Sequence, residues 1–526
     1  MKKFATIMLI LLMAAGSAVA QVKINYGKDS PLRKLEMAEL YINALYVDSV
    51  NENKLVEDAI KGMLEKLDPH SSYSDSEEMK ALTEPLMGNF EGIGIQFNMI
   101  EDTLIVIQPV VNGPSEKAGI MPGDRIVTVN DSVISGVKMN KRDIMKRLRG
   151  KKGSKVRLGI KRNGVDGMMH FTVTRAKIPI RSLEAAYMVD DKIGYVRLGN
   201  FGAHTYKEFM EAMEMLKESG MKDVIVDLQG NGGGFLQSSV SIAGEFLNNN
   251  DLVVYTEGRT YKRKEYNAMG NGAFREGRVA VLVDEFSASA AEIFTGAVQD
   301  HDRGFVVGRR SFGKGLVQRP IELPDGSMIR LTIAHYYTPS GRCIQKPYEK
   351  GNMKDYEMDF ENRLRHGELT CRDSIHFNDS LKYYTLREKR AVYGGGGIMP
   401  DYFVPLDTLK YSKYYRKLIL KNIVLTNSLK YVDKNRQQLR STYDTFAKFK
   451  NSYEIPAQVI DDIIAQGKKE KIVPDGKTDL EKTKEQLRIQ MKALVARDLW
   501  DMSEYYEIMN QGNDIFNEAV RILNNN

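Results

Sequence analysis

The chain has 526 residues, of which 42% are hydrophobic and 28% are charged. This composition is typical of a globular protein that folds in water, and the length suits about three or four domains of ~150 residues. The formal net charge is +7, and residues 411–450 alone contain ten Lys and Arg against two Asp. Such a segment suits a solvated helix face, or else an acidic partner or a membrane surface, and we expect no nucleic-acid partner.

The N-terminus has the pattern of a secretory signal peptide, residues 1–20. Lys2 and Lys3 form a basic start, Phe4–Met13 is an apolar run, and Ala18-Val19-Ala20 is a small-residue cleavage site. We therefore expect export to the periplasm or another compartment that faces the cell envelope. The alternative is a retained transmembrane helix, but the run is shorter than the ~20 residues that a span needs.

Residues 21–87 form a predicted N-terminal helical region. Ser30 can cap a first helix that has Pro31 at its first position. Two apolar stripes with helical spacing follow between residues 30 and 67, and Asp68-Pro69-His70 ends the second helix. His70 is either a catalytic residue or, as we expect, a turn histidine that the backbone satisfies.

Residues 88–175 have the pattern of a small β-rich domain. The segment Gly92-Ile93-Gly94-Ile95 is a glycine-rich turn that leads into a strand. Successive N–H groups around two glycines form a nest for an anion such as a peptide carboxylate, and the adjoining strand edge can add a peptide as an extra strand. Together with Gly113–Asn130, the segment resembles a PDZ domain. The alternative is a β-domain that only packs against its neighbour.

Residues 176–407 alternate predicted strands and helices, which indicates an α/β core. The strand Val224–Asp227 leads into Gly232-Gly233-Gly234. A glycine-rich loop after a strand can cradle a phosphate, but three consecutive glycines lack the Gly-x-Gly-x-x-Gly spacing. A backbone N–H that points at an oxyanion fits this loop better.

Two segments differ from this alternating pattern. Residues 347–392 are polar and weakly periodic, and we interpret them as an insertion in the core; residues 408–526 are helical in pattern to the end. The two cysteines, Cys343 and Cys371, are too few for a disulfide framework. One bridge and two free thiols both stay open.

The segment Val281–Gln318 contains the candidate nucleophile. Ser289 lies in a turn of small residues between a strand and a helix, next to unpaired helix N–H groups. A serine needs an adjacent base. His301 is twelve residues further on, which is ~18 Å along a helix, whereas proton transfer requires about 3 Å. His301 is therefore excluded.

Lys314 can serve as the base if its amine is neutral. Burial can lower the pKa of a lysine from about 10.4 toward neutrality. If the chain is extended there, the i, i+4 spacing places Gln318 on the same face. A glutamine can hydrogen-bond the amine without holding it charged, whereas a carboxylate would keep it protonated.

Two alternatives compete for these residues. Gly308-x-x-x-x-Gly313-Lys314 nearly matches a phosphate-binding loop, but Gly315 follows where that loop needs a hydroxyl for Mg²⁺. In addition, serines in small-residue turns are usually turn residues only. Ser289 by itself does not distinguish a nucleophile from such a residue.

Several motifs together resemble the C-terminal processing (tail-specific) peptidases, a family of PDZ-containing serine proteases with a Ser/Lys dyad. In that family a lysine follows the nucleophile by 25 residues and a glutamine follows the lysine by four, which matches Ser289, Lys314 and Gln318 and selects Ser289 over Ser287. The motifs are LDPHSSY (67–73), the PDZ-like segment, VDLQGNGGG (226–234), VDEFSASAAEIFTGAVQD (283–300), GRRSFGKGLVQ (308–318), YYTPSGRCIQ (336–345) and GGGGIMPD (394–401).

The resemblance implies the fold and the chemistry. The fold would be an α/β protease core of mixed sheet and helices, with an inserted PDZ domain and helical N- and C-terminal regions. The oxyanion hole would use the N–H of Ala290 and of a glycine in the Gly232-Gly233 pair. The enzyme would cleave proteins near their C-termini after the PDZ domain captures the tail, with no metal or other cofactor. Because the lysine must be neutral, we expect an alkaline-leaning pH profile.

Three further alternatives stay open. In the first, the chain is a non-catalytic PDZ adaptor that binds C-terminal tails. In the second, it is a Ser/His hydrolase of small esters that uses His70 or His335. The helical ends, 30–67 and 408–526, either form a homodimer, as terminal helices do in similar proteins, or pack onto the core.

Overall fold

The computed structural model describes residues 30–100, 102–269 and 272–525. The predicted signal peptide, residues 1–20, lies outside this part of the chain. The fold divides into two compact units, Met1–Leu67 and Asp68–Asn526. Within the described ranges, no helix combines the length and the apolar content needed to cross a membrane.

The first unit contains two helices, α1 (Pro31–Leu45) and α2 (Glu52–Leu64). The side-chain oxygen of Ser30 accepts the N–H of Leu32 at 3.3 Å, and Pro31 occupies the first helical position of α1. Asn51 caps α2 by accepting the N–H of Lys54 at 3.1 Å. The two predicted helices and the predicted cap of the first are confirmed.

The second unit begins with β1 (Ser72–Ser74) and α3 (Ser76–Met87). The next strand, β2 (Asn89–Gly92), pairs antiparallel with β9 (Ala176–Pro179). The chain therefore enters and leaves the segment between these strands side by side, as expected of a domain inserted into another.

The inserted domain is a six-stranded antiparallel sheet with two helices. Its elements are β3 (Ile95–Ile100), β4 (Thr103–Pro109), α4 (Pro114–Lys117), β5 (Arg125–Val129), β6 (Ser132–Val133), α5 (Lys141–Leu148), β7 (Lys155–Lys161) and β8 (Met169–Thr174). The strand order is β3-β4-β5-β7-β8, with β6 paired to β5. Fully buried residues such as Leu104, Ile126 and Leu158 form its core.

The α/β core is built on a second six-stranded sheet. Its strands are β10 (Leu183–Met188), β11 (Ile193–Leu198), β12 (Asp223–Asp227), β15 (Val279–Val283), β16 (Phe305–Gly308) and β21 (Tyr402–Phe403), in the order β10-β11-β12-β15-β16-β21. Only β10 is antiparallel to its neighbour. The carboxyl ends of the parallel strands therefore meet at one edge of the sheet.

Helices cover both faces of this sheet. They are α6 (Thr205–Glu218), α7 (Leu236–Gly244), α8 (Ala290–Asp300) and, at the end of the chain, α17 (Asp514–Asn525). Strand residues alternate between the faces. Val224 and Val226 pack in the cluster that contains α6, α7 and α8, whereas Ile225 packs in the cluster that contains α17. Helix α17 thus completes the α/β core.

A third sheet positions the lysine loop. Its strands are β13 (Leu252–Glu257), β14 (Lys264–Asn267), β17 (Leu316–Glu322) and β18 (Met328–Tyr337), together with β1. Strands β17 and β18 form an antiparallel hairpin, and β1 pairs with the same β18. The end of the LDPHSSY motif is thereby paired with the second strand of the hairpin that follows Lys314.

The segment 347–392 has a compact fold of short elements: α9 (Met353–Glu357), α10 (Asp359–Arg365), single 3₁₀ turns at Arg372–Ser374 and Asp379–Leu381, β19 (Lys382–Tyr384) and β20 (Ala391–Tyr393). Strands β19 and β20 pair with each other. Both cysteine thiols are free in this structure.

The remaining helices form a C-terminal bundle with a core of its own, which includes Phe449, Leu487 and Met491. They are α11 (Lys413–Leu420), α12 (Ile423–Thr442), α13 (Phe446–Ser452), α14 (Ala457–Lys469), α15 (Gly476–Leu499) and α16 (Met502–Met509), followed by a 3₁₀ turn at Asn510–Gly512. Helix α12 contacts the inserted domain through an ion pair of 2.7 Å between Asp433 and Arg125. The bundle therefore packs on part of the inserted domain.

Candidate active site

The nucleophile turn joins a fully buried strand to a fully buried helix. Strand β15 ends at Val283, and α8 begins at Ala290. The carboxylate of Asp284 accepts the N–H of Phe286 at 3.0 Å and of Gly230 at 3.0 Å. The turn is therefore tied to the glycine-rich loop that follows β12.

Ser289 itself has a strained backbone, with φ +57° and ψ −115°. This combination is rare for a residue with a side chain and costs of order 1–3 kcal/mol. Such strain persists only where the surroundings fix it, and here buried contacts lie on both sides of the residue. The strain is typical of a serine whose hydroxyl must project from a sharp strand-to-helix turn.

Of the two glycines proposed for the oxyanion hole, Gly233 is the one in contact with the nucleophile. A Cβ added at Gly233 would lie 2.7 Å from Ser289 Cβ and 2.9 Å from Ala290 N. The Gly233 N–H donates to Asn231 Oδ1 at 2.9 Å. Gly232 is more open, since a Cβ there would have no heavy atom within 4 Å.

Ala290 is the first residue of α8, where a helix offers the backbone N–H no acceptor of its own. Positive charge from the helix dipole is greatest at this end. The N–H of Ala290 and the neighbouring glycine loop therefore form the corner in which an oxyanion next to Ser289 would lie.

The lysine loop depends on two close backbone approaches. At Gly313, φ is +87°, and an added Cβ would lie 3.0 Å from Gly397 N; at Gly315 it would lie 2.8 Å from Gln345 N. Larger residues would push the loop away from these neighbours. The GGGGIMPD and YYTPSGRCIQ motifs are thus the packing surfaces for the loop that presents Lys314.

The Lys314 amine donates to Gln318 Oε1 at 3.0 Å, as the i, i+4 spacing predicts. Gln318 in turn donates from Nε2 to the carbonyl of His70, which fixes the orientation of the amide. Burial lowers the pKa of Lys314 from its usual value of 10.5, and the nearby Arg330 cation lowers it further, against the opposing charges of Glu292 and Asp68. A neutral amine is therefore favoured more than in water.

Glu292 connects Ser289 to Lys314, a contact that sequence reasoning missed. Its Oε2 accepts the N–H of Ser289 at 2.8 Å and the N–H of Lys314 at 2.9 Å. Its Oε1 accepts the Ser311 hydroxyl at 2.6 Å and the N–H of Gly313 at 2.7 Å. The residue is 0% exposed. Burial raises its pKa, and the four donors oppose that shift. One buried side chain thus fixes both backbones.

A local signal for Glu292 was present in the sequence. Ser289-Ala290-Ala291-Glu292 has the S-x-x-E pattern of a helix capping box, in which the glutamate reaches back to the N–H of the serine. The structure contains that bond. The further bonds to the lysine loop depend on tertiary contact and have no local signal.

In the described part of the chain, the Ser289 hydroxyl and the Lys314 amine form no hydrogen bond with each other. The amine donates to Gln318 instead. The structure therefore brings the two residues together through a shared anchor, Glu292, rather than through a direct bond.

The histidines take other roles. His70 Nε2 lies 2.7 Å from the Tyr356 hydroxyl, so the expectation that the backbone alone satisfies this histidine is wrong. Burial and the charge of Lys314 lower the pKa of His70 to about 4, so the ring is neutral at pH 7. His335 lies near Cys343, with 3.9 Å between Nδ1 and Sγ. In the described part of the chain, neither histidine bonds to Ser289, which disfavours a Ser/His site.

The glycine-rich turn of the inserted domain has the expected shape. Gly94 has φ +71°, and Ile93 is only 2% exposed, so its side chain belongs to the domain core and its backbone faces the turn. Ile95 begins β3, the edge strand of the sheet order. The backbone of Arg149 lies beside Gly92, and its side chain pairs with Glu84 at 2.5 Å.

Family models match most of this architecture. Peptidase family S41 matches residues 192–358, and a PDZ domain matches residues 92–172. The N-terminal domain of the activating protease CtpB matches residues 13–78, and a family of unknown function (DUF8443) matches residues 414–501.

Curated relatives extend across these domains. The chain is 34% identical over 357 residues to the carboxy-terminal processing protease CtpA of Bacillus subtilis, covering 66% of this chain and 75% of the relative. It is 35% identical to CtpB of the same organism, covering 63% and 69%. The solved photosystem II D1 C-terminal processing protease is 30% identical, with a TM-score of 0.34, covering 58% of this chain and 82% of that one.

These matches define a serine-type protease of family S41 with a PDZ domain. The chain belongs to the carboxy-terminal processing protease family. The predicted family and the predicted fold class, an α/β protease core with an inserted PDZ domain and helical terminal regions, are confirmed.

Proposed function

We propose that the chain is an exported endopeptidase in which the PDZ domain captures the C-terminal tail of a protein and Ser289 cleaves it, with Lys314 as general base. One observation carries the proposal. The partly buried Lys314 amine donates to the neutral amide of Gln318. The backbone N–H of Lys314 and that of the candidate nucleophile, Ser289, both donate to the Glu292 carboxylate.

The chemistry follows from the donor pattern around the amine. A neutral amine has two N–H groups and one lone pair, and Gln318 Oε1 accepts one of the N–H groups. The lone pair stays available for the Ser289 proton as Oγ attacks the scissile carbonyl. The resulting oxyanion would lie at the Ala290 N–H and the glycine loop. Lys314 then gives its proton to the leaving amine, and water cleaves the acyl-enzyme.

Reaching the hydroxyl requires a change of the lysine side chain from the described state. Lysine has four rotatable side-chain bonds, so the amine can turn between Gln318 and Ser289 while the backbone stays fixed to Glu292. The two glycines beside Lys314 hold the loop against its neighbours during this change.

Tail capture is assigned to the PDZ domain. The glycine turn at Gly92–Ile95 offers N–H groups to a terminal carboxylate, and the free edge of β3 offers backbone groups to an extended tail. Residues 1–20 supply the export signal, which places the mature chain in the periplasm or facing the cell envelope. Neither the described residues nor the relatives support the predicted homodimer or membrane-surface contact.

The test uses the mature chain, residues 21–526, and a folded protein that carries an unstructured C-terminal tail. Ser289→Ala and Lys314→Ala should each reduce cleavage at least about 10³-fold, since each removes a group that takes part in bond formation or proton transfer. Ser219→Ala and Lys207→Ala, both at exposed positions on or just after α6, are matched controls that should keep full activity. Mass spectrometry of the fragments locates the cut.

Full activity in either catalytic variant would disprove the proposed dyad. If wild-type protein binds the tail without cutting it, the adaptor function is correct instead. Amidation of the tail should weaken binding if the PDZ nest takes a carboxylate.

A further inference from the structure

A cavity of about 350 Å³ lies between the two catalytic loops and the segment 347–392. One wall comes from Phe286, three residues before Ser289, and from Phe312, two residues before Lys314. The opposite wall comes from α9 and α10, through Met353, Tyr356 and Phe360. The predicted insertion therefore builds one wall of a cavity whose other wall comes from the two loops that carry Ser289 and Lys314.

Aromatic contacts give the cavity a defined shape. Phe286 stacks on Phe360 with ring centroids 5.4 Å apart, and Phe312 meets Tyr356 edge-on at 6.0 Å. Phe286 is nevertheless 51% exposed. An apolar ring this open, beside a catalytic turn, gains further burial when an apolar group enters next to it.

The two cations that line the cavity already have polar partners. The Lys346 ammonium pairs with Asp359 at 3.0 Å and lies over the Tyr356 ring at 3.9 Å. Arg363 donates to the carbonyls of Ser311 and Arg310 at 3.2 and 2.6 Å. A charged ligand would have to break these contacts, whereas an uncharged apolar group would leave them intact.

The reach of a bound polypeptide fits this place. An extended chain advances about 3.3–3.6 Å per residue. Phe286 is three residues from Ser289, so their Cα atoms are at most about 11 Å apart. An extended substrate covers that distance within about three residues of the scissile bond.

From these observations we infer that the cavity is a specificity subsite that takes one large apolar side chain, such as Leu, Met or Phe, of the polypeptide being cleaved. The inference rests on the proposed peptidase function and adds the residue class that this chain selects. Met353 and Phe360 are the residues that determine the selection.

The test compares peptides that carry Phe, Leu or Ala at one position at a time, within three residues of the cut on either side. With wild-type enzyme, one position should favour Phe or Leu over Ala by about 10- to 100-fold in kcat/KM, the range that an apolar pocket supplies. Phe360→Ala should reduce this ratio at least about fivefold, and Met353→Trp, which fills the cavity, should bring it near one.

Leu364→Ala is the matched control, because Leu364 lies on α10 but outside the cavity lining, and its ratio should equal that of wild type. Thermal unfolding is measured for each variant. If Phe360→Ala does not fold, Met353→Trp decides the question, and Phe360→Leu is a milder substitute.

An unchanged ratio in the folded variants at every position overturns the inference. If the same variants instead change the oligomeric state in light scattering while the ratio stays constant, a second copy of the chain occupies the cavity and the inference is wrong. If cleavage persists in Ser289→Ala, the proposed function itself fails, and that outcome is separate from the ratio test.

Discussion

The catalytic centre and the PDZ edge differ in whether their polar groups already have hydrogen-bond partners. At the catalytic centre, Glu292 has four buried donors around one carboxylate. At the PDZ edge, β3 pairs on one side with β4 and leaves its other edge for a partner. Chemistry needs groups that are fixed before the substrate arrives, whereas tail capture needs backbone groups that stay unpaired until it arrives.

This difference predicts different kinetic effects. Substitutions in the catalytic centre should lower kcat, because they disturb the geometry of the reacting groups. Substitutions at the PDZ edge should raise KM for tailed substrates and leave the bond-breaking step unchanged. The predictions below test that division, from the largest expected effect to the smallest.

Glu292→Gln should have the largest effect. The new amide replaces one acceptor oxygen with an N–H₂ group that faces existing donors. The bonds at that oxygen, either to Ser289 and Lys314 or to Ser311 and Gly313, are lost in a buried place. We expect kcat to fall at least about 100-fold and the free energy of unfolding to fall by about 3 kcal/mol. Peptide cleavage and urea unfolding measure the two.

Glu292→Asp is the control, because it keeps the charge but shortens the side chain. Its kcat and its free energy of unfolding should lie between those of wild type and Glu292→Gln. Equal kcat in wild type and Glu292→Gln would show that the shared anchor is not needed for catalysis. That result would contradict the statement that the catalytic centre needs groups fixed before the substrate arrives.

Gly94→Ala tests the PDZ side. The backbone there has φ +71°, and an added Cβ would lie 2.8 Å from Ile178 Cδ1, so the turn must shift. We expect KM for a tailed substrate to rise about tenfold, equivalent to about 1.4 kcal/mol of binding. Cleavage of a short peptide without a PDZ-binding tail should stay within about twofold of wild type.

Gly136→Ala is the matched control for Gly94→Ala. It has a similar φ of +74° in the same domain, but an added Cβ would have no heavy atom within 4 Å. If both variants raise KM equally, the effect comes from loss of domain stability and not from the carboxylate nest.

Tyr356→Phe tests whether the segment 347–392 acts on the catalytic side. The change removes the hydroxyl that lies 2.7 Å from His70 Nε2 and keeps the ring that lines the cavity. His70 holds Gln318 through its carbonyl, and Gln318 holds the lysine amine. We expect kcat to fall about three- to tenfold, the range for loss of one or two hydrogen bonds.

The neighbouring Tyr348→Phe serves as the control, because its ring contacts Tyr356 without bonding to His70. A fall in kcat of the same size in both variants would assign the effect to packing of the segment and not to the His70 contact.

Arg330→Gln should have the smallest effect. The expected change is a shift in the pH dependence of kcat/KM. Activity requires the neutral Lys314 amine, so kcat/KM should rise with pH through the lowered pKa of that group. Removal of the Arg330 cation removes one cause of the lowering, so the rise moves to higher pH and kcat/KM at pH 7 falls by about threefold.

Arg330→Lys keeps the positive charge and should keep the position of the rise. A profile in wild type that is flat from pH 5 to pH 9 would contradict the lysine base altogether, and an unchanged profile in Arg330→Gln would show that burial alone sets the pKa.

The sequence by itself determined the family and the fold class, and it supplied the proposed catalytic residues. The spacing of Ser289, Lys314 and Gln318 is a local property, because short motifs in a turn and a strand encode it directly. The same holds for the Gly92–Ile95 turn, where glycine is the residue that tolerates the positive φ of Gly94.

Tertiary structure decided which distant residues meet these motifs. The bonds from Glu292 to the lysine loop, the contact of Tyr356 with His70 and the packing of α17 on the core sheet join segments 22 to 321 residues apart. Periodicity indicates that a face is apolar but not which element covers it, since burial depends on the whole chain and not on local preference. For that reason, the polar segment 347–392 gave no sign in sequence that it forms a wall beside the active site.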